Sequence, residues 1–137
     1  MNANDVEFMG NGSLVYCSSS VLATLTFDGT NYIPEHSISA SLSKISVHND
    51  RVGGMTSSMF YEYSLSPLGI TQIDSLGIPG TSAMELDANV IAVGRIDSSM
   101  KIMTSTNNQS ANHGAEEING ISISSDEDII AFVGNDR

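Results

Sequence analysis

Short apolar runs punctuated by Gly, Asn, Asp and Ser dominate this chain. No long segment places apolar residues at i, i+3, i+4 and i+7, so helical periodicity is nearly absent. Runs of this kind, bounded by turn residues, predict strands. Four of them are alike: Leu14-Val-Tyr-Cys17, Val52-Gly-Gly-Met55, Val90-Ile-Ala-Val93 and Ile129-Ile-Ala-Phe132. They begin at positions 14, 52, 90 and 129, intervals of 38, 38 and 39 residues. Each comes after a short alternating segment: Val6-Glu-Phe8, Ile45-Ser-Val47, Met84-Glu-Leu86 and Ile121-Ser-Ile123. Polar tips separate the two members of each pair, for example His48-Asn-Asp-Arg51 and Ser124-Ser-Asp-Glu-Asp128. The pattern predicts a two-stranded hairpin made four times.

The stretch after each hairpin also recurs. Ser18 to Leu25 lies over Thr56 to Tyr63 without a gap, and Asp97 to Met103 fits with three residues inserted. A third strand is therefore expected in each unit. A looser fourth is expected at Ile33 to Leu42, Ile70 to Ile78 and Ala115 to Ile118. The units are about 5–43, 44–82, 83–120 and a partial 121–137. The predicted fold is all-β: repeated four-stranded antiparallel units of about 38–39 residues, propeller-like, three and a half blades in all. Such a period lies near the ~40–45 residues of a propeller blade. A β-sandwich, which also spaces strands by ~8–12 residues, is the alternative.

Two stretches carry a family resemblance. Residues 84–103 and 121–136 each run as a short strand, an Asp-containing tip and an apolar strand ending in a small residue, and then Asp97 or Asp136. They resemble β-propeller blades of the WD40 type. The resemblance implies that Asp97 and Asp136 stabilise the tight turn after the second strand. The chain departs from the family in having no tryptophan and no Gly-His pair before the first strand of a unit. Units one and two carry Ser19-Ser20 and Ser57-Ser58 where the turn aspartate would stand. Serine hydroxyls can bond nearby backbone donors, so Ser-rich turns are workable substitutes.

Composition narrows the function. Sixteen acids against five bases give a formal net charge of −11, which repels phosphates and anionic membranes, so neither nucleic-acid nor membrane partners are expected. The single cysteine, Cys17, excludes an intrachain disulfide framework and is expected in the core. No basic-then-apolar leader comes after Met1, so a cytoplasmic setting is expected, or association with a particle.

Chemistry-bearing clusters are sparse. His36, His48 and His113 are not spaced for a metal pair, and the last two are expected to be solvated loop residues. Asp126-Glu127-Asp128 lacks the oxygen-ligand spacing of a calcium loop and is expected to be a solvated tip. In Phe60-Tyr-Glu-Tyr63, alternation puts Phe60 and Glu62 opposite to Tyr61 and Tyr63. No catalytic residues, metal or cofactor are expected.

The last unit supplies the site expectation. It has only its first two strands, which leaves Ile129, Ile130, Ala131, Phe132 and Val133 as an apolar edge lacking a neighbour. Such an edge invites another strand. The expected function is a non-catalytic protein–protein interaction or scaffold module, completed by another chain or by a longer chain, with a protein partner or a second copy joined through this edge. The alternative is a structural subunit of a large particle such as a virion or tail protein.

Overall fold

The computed structural model describes residues 2–104, 107–112 and 117–134. Alternation along these segments becomes fourteen antiparallel strands in four sheets. Sheet 1 is β1 (Asp5–Phe8), β2 (Leu14–Cys17), β3 (Val21–Phe27) and β4 (Tyr32–Ser39). Sheet 2 is β5 (Lys44–His48), β6 (Arg51–Met55), β7 (Met59–Ser66) and β8 (Gly69–Gly77). Sheet 3 is β9 (Thr81–Leu86), β10 (Val90–Arg95), β11 (Ser99–Thr104) and β12 (Asn108–Asn112). Sheet 4 is β13 (Ile118–Ile123) and β14 (Ile130–Gly134). Strands lie in chain order within each sheet, as hairpin connections require.

The repeat is physical as well as textual. Ile45 pairs with Gly54 and Ser46 with Gly53, while Ile121 pairs with Phe132 and Ser122 with Ala131. The third strands of sheets 1 and 2 even slip register at matching places, between Thr24 and Leu25 and between Glu62 and Tyr63. Bulges of this kind sharpen the local twist.

The sheets stack face to face in chain order, first strand against first strand: β1 on β5, β5 on β9 and β9 on β13. Among the described residues, three cores fill the gaps. Val15, Cys17 and Leu22 of sheet 1 meet Ile45, Val52 and Tyr63 of sheet 2. Met55 and Phe60 of sheet 2 meet Met84 and Val93 of sheet 3. Ala83, Ala92 and Met100 of sheet 3 meet Ile118 and Ile121 of sheet 4. Burying each larger aliphatic side chain contributes about 1.5–3 kcal/mol. Phe60 and Tyr63 point to opposite sheets, as alternation requires.

Glycine on the second strand allows the close approach. A Cβ at Gly54 would sit 2.7 Å from Leu42, and one at Gly94 would sit 2.5 Å from Ile118. No side chain fits there without moving its neighbour.

One expected strand is placed elsewhere. The outer strand of the third unit is Asn108–Asn112, not Ala115–Ile118. Ala115 and Glu116 lie outside the described residues. Ile118, 1% exposed, opens β13 instead and packs on Gly94. The true strand is mostly exposed, so it carries no apolar alternation to read.

Candidate interaction surfaces

In sheets 1 to 3 the turn from second to third strand is closed by one side-chain oxygen. Asp97 Oδ1 accepts from Ser99 N–H at 3.1 Å and Ser99 Oγ–H at 2.5 Å, and Asp97 Oδ2 lies 3.0 Å from Arg95 Nη2. These bonds, with the hydroxyl of Ser99 foremost, hold the Asp97 carboxyl below its ordinary range. In the first two sheets the same work falls to Ser18 and Thr56. Ser18 Oγ accepts from Ser20 and Val21, and Thr56 Oγ1 from Ser58 and Met59. The acceptor thus stands one place before the Ser19-Ser20 and Ser57-Ser58 pairs that the sequence marks out. Asp136 lies outside the described residues.

A second set of polar contacts ties together the hairpin tips of sheets 2, 3 and 4. Arg51 Nε donates to Glu62 Oε1 at 2.6 Å, and its Nη1 donates to the carbonyls of Asp87 and Ala88 in sheet 3. His48 Nδ1 lies 2.9 Å from Asp87 Oδ1. His48 is therefore half-buried in an inter-sheet contact rather than a solvated loop residue. Asn89 N–H donates to Glu127 Oε1 at 2.7 Å, carrying the ladder to sheet 4. Sequence reasoning leaves these pairs out. The signal of the inter-sheet ones is the separation of 36 to 39 residues, one repeat, which places partners on neighbouring tips. His113 lies outside the described residues.

The first strands carry carboxylates of a different character. Burial, reinforced by Asp5, raises Glu7 above the ordinary carboxylate range; burial, reinforced by Glu7, does the same to Glu85. Cys17 is fully buried, and desolvation pushes its thiol up to about 11, so it is not a ready nucleophile. Among the described residues no group of three or more His, Cys, Asp or Glu is placed to hold a metal ion.

Grooves open between the outer strands. One of about 250 Å³ lies between sheets 1 and 2, with Met9, Leu65 and Ile70 as its apolar lining and His36 and Asp50 beside them. Another of about 560 Å³ lies between sheets 2 and 3 and includes Arg51, Phe60, Glu62 and Met103.

The third kind of surface is sheet 4. Ile130, Ala131, Phe132 and Val133 lie in β14, and Ile129 lies just ahead of it. Exposure is 65% at Ile129, 37% at Phe132 and 63% at Val133. Among the described residues only β13 and β14 belong to this sheet. A shallow apolar depression covers Gly120, Ile121, Ser122 and Ala131 to Val133.

No family model and no curated protein matches the sequence. Solved structures do match in shape. The chain superposes on BamB from Moraxella catarrhalis with a TM-score of 0.64 at 19% identity, over 82% of this chain and 36% of that one. It superposes on a chain of the structure titled Mitotic Checkpoint Complex with a TM-score of 0.74 at 12% identity, over 94% of this chain and 43% of that one. The chain thus spans less than half the length of either. Identities this low carry the fold alone: four antiparallel sheets, radially stacked in the manner of propeller blades.

Proposed function

We propose that this chain is a non-catalytic interaction or scaffold module of WD40-like blades whose sheet 4 accepts a β-strand from a protein partner. The observation that carries the reading is the exposure of β14. The second strands of sheets 1 to 3 each lie between two hydrogen-bonded neighbours, and Val15, Val52 and Val93 are fully buried. β14 has the same place in its unit and, among the described residues, pairs in its sheet with β13 alone. Adding an extended segment to a sheet edge is an established recognition mode: backbone bonds supply affinity and alternate side chains supply specificity. The three internal third strands specify the guest: a segment with apolar residues at alternate positions, as in Val21–Phe27, Met59–Ser66 and Ser99–Thr104.

The test is fluorescence anisotropy with a labelled synthetic peptide of residues 97–104, titrated with the whole chain. Saturable binding that Ile130→Pro abolishes is expected, because the register turns the Ile130 N–H away from β13, towards the open side of β14, and proline removes that donor. Equal binding by the wild-type and Ile130→Pro chains, or none by either, would count against strand addition at β14.

A further inference from the structure

The two end faces of the stack fit one another. Each internal junction sets a face of small or hydrogen-bonding residues against an apolar pair on the next first strand. Between sheets 2 and 3, Ser46 Oγ accepts the backbone N–H of Leu86 at 3.0 Å. Gly53, paired with Ser46, leaves the space that Met84 and Leu86 enter; a Cβ there would lie 3.5 and 3.7 Å from them. Between sheets 3 and 4, Gly94 receives Ile118 and Ile121 in the same way. Between sheets 1 and 2, Asp5 Oδ2 accepts the N–H of Ile45 at 3.0 Å.

Both halves of this junction recur at the ends. On sheet 4, Ile121, Ile123 and Ile130 pack towards sheet 3. Alternation then turns Ser122 and its partner Ala131 outward, with Val133 beside them. Ser122 opposite Ala131 occupies the place of Ser46 opposite Gly53, and both are exposed. On sheet 1, Asp5 faces sheet 2, so Val6 and Phe8 face outward, 47% and 70% exposed. Val6-Glu7-Phe8 is the counterpart of Met84-Glu85-Leu86. Its register is the same: Phe8 pairs with Leu14 and precedes a Met9 N–H bond to Ser13, as Leu86 pairs with Ile91 and precedes an Asp87 N–H bond to Val90.

We propose that a second copy of this chain stacks head to tail, the Val6–Phe8 face of one copy seated on the Ser122–Ala131–Val133 face of the other. Phe8 takes the place of Leu86, and its backbone N–H meets Ser122 Oγ. The five side chains named carry no charge, so the contact is apolar while the net charge of −11 on each copy opposes association at long range. Salt screens that repulsion, so association tightens as salt is added. A head-to-tail contact closes or propagates according to its rotation. This contact uses the flat face of sheet 4 and leaves the outer edge of β14 open, so it stands or falls separately from strand addition.

Sedimentation velocity of the whole chain, at rising protein concentration and at low and high salt, tests it. A species of twice the 14.5 kDa mass that strengthens with salt is expected. Phe8→Asp alone and Ala131→Glu alone should each weaken association at least tenfold, roughly 1.4 kcal/mol. Mixing the two variants should restore one junction, because each contributes the intact face the other lacks. Phe8→Cys mixed with Ser122→Cys should cross-link between copies under mild oxidation, with buried Cys17 protected. A ladder of oligomers sensitive to both substitutions would support stacking with an open rotation. A chain monomeric at every concentration and salt level would overturn the proposal. So would a dimer indifferent to Phe8→Asp, which would instead indicate pairing through β14 edges.

Discussion

Sheets 3 and 4 begin with the same kind of hairpin, yet their residues live in different surroundings. Val93 in β10 is fully buried, packed with Met84 and Met103 of its own sheet and with Phe60 of sheet 2. Val133 in β14, an equally apolar residue on the corresponding strand, is 63% exposed. Strand formation is local: both hairpins have alternating side chains, a polar tip and antiparallel register. Burial is not local. It comes from the third strand beside β10 and from the sheets stacked on both faces. The difference teaches that this sequence specifies blades first and that the stack supplies their core.

The largest contrast between the two hairpins comes at glycine. Gly94 and Gly120 both lie on hairpin strands, but a Cβ at Gly94 strikes the branched Cγ2 and Cβ of Ile118 at 2.5 and 2.8 Å. At Gly120 it meets only Val133 Cγ1, at 3.1 Å, and Val133 can turn towards solvent. Gly94→Ala should cost about 1–3 kcal/mol through overpacking, whereas Gly120→Ala should stay within about 0.5 kcal/mol. Urea unfolding measures both. Hydrogen exchange should show early loss of protection in β13 and β14 for Gly94→Ala alone.

Truncating one valine on each of these second strands sharpens the contrast with a smaller effect. Val93→Ala removes two buried methyl groups and should cost about 1.5–2 kcal/mol. Val133→Ala should change monomer stability by less than about 0.5 kcal/mol. Equal losses in thermal unfolding would mean that Val133 is packed by a neighbour in solution.

The smallest effect is electrostatic and separates the first strands from the turns. Burial raises Glu85 above its ordinary range, so the folded chain holds that proton more tightly than the unfolded chain does. Stability is then fully retained below the unfolded carboxylate range and falls as pH rises through the folded one. Glu85→Gln should therefore stabilise the chain at pH 7 and lose its advantage below about pH 4. Asp97 behaves oppositely, since its folded pKa is lowered. Asp97→Asn should destabilise at pH 7, and the difference should shrink on acidification. Denaturation midpoints between pH 3 and 7 distinguish the two slopes.

Much of this architecture is legible because it rests on local alternation and on distance along the chain. The period, the hairpins, the order of strands and the opposite faces of Phe60 and Tyr63 are all written in side-chain polarity. The Asp97 turn is also a local feature, because its partners stand within two residues. Three features are not legible in that way. Asn108–Asn112 forms an outer strand whose exposed side chains need no pattern. Ser18 and Thr56 close their turns from one place earlier than the serine pairs suggest, because backbone geometry chooses the acceptor. His48 meets Asp87, and Arg51 meets the tip of sheet 3, only because the sheets stack with their tips adjacent. The amino-acid sequence by itself determined which segments become strands and how often they recur. Tertiary structure alone decided which faces are covered, because burial depends on neighbours one repeat away rather than on a residue's own polarity.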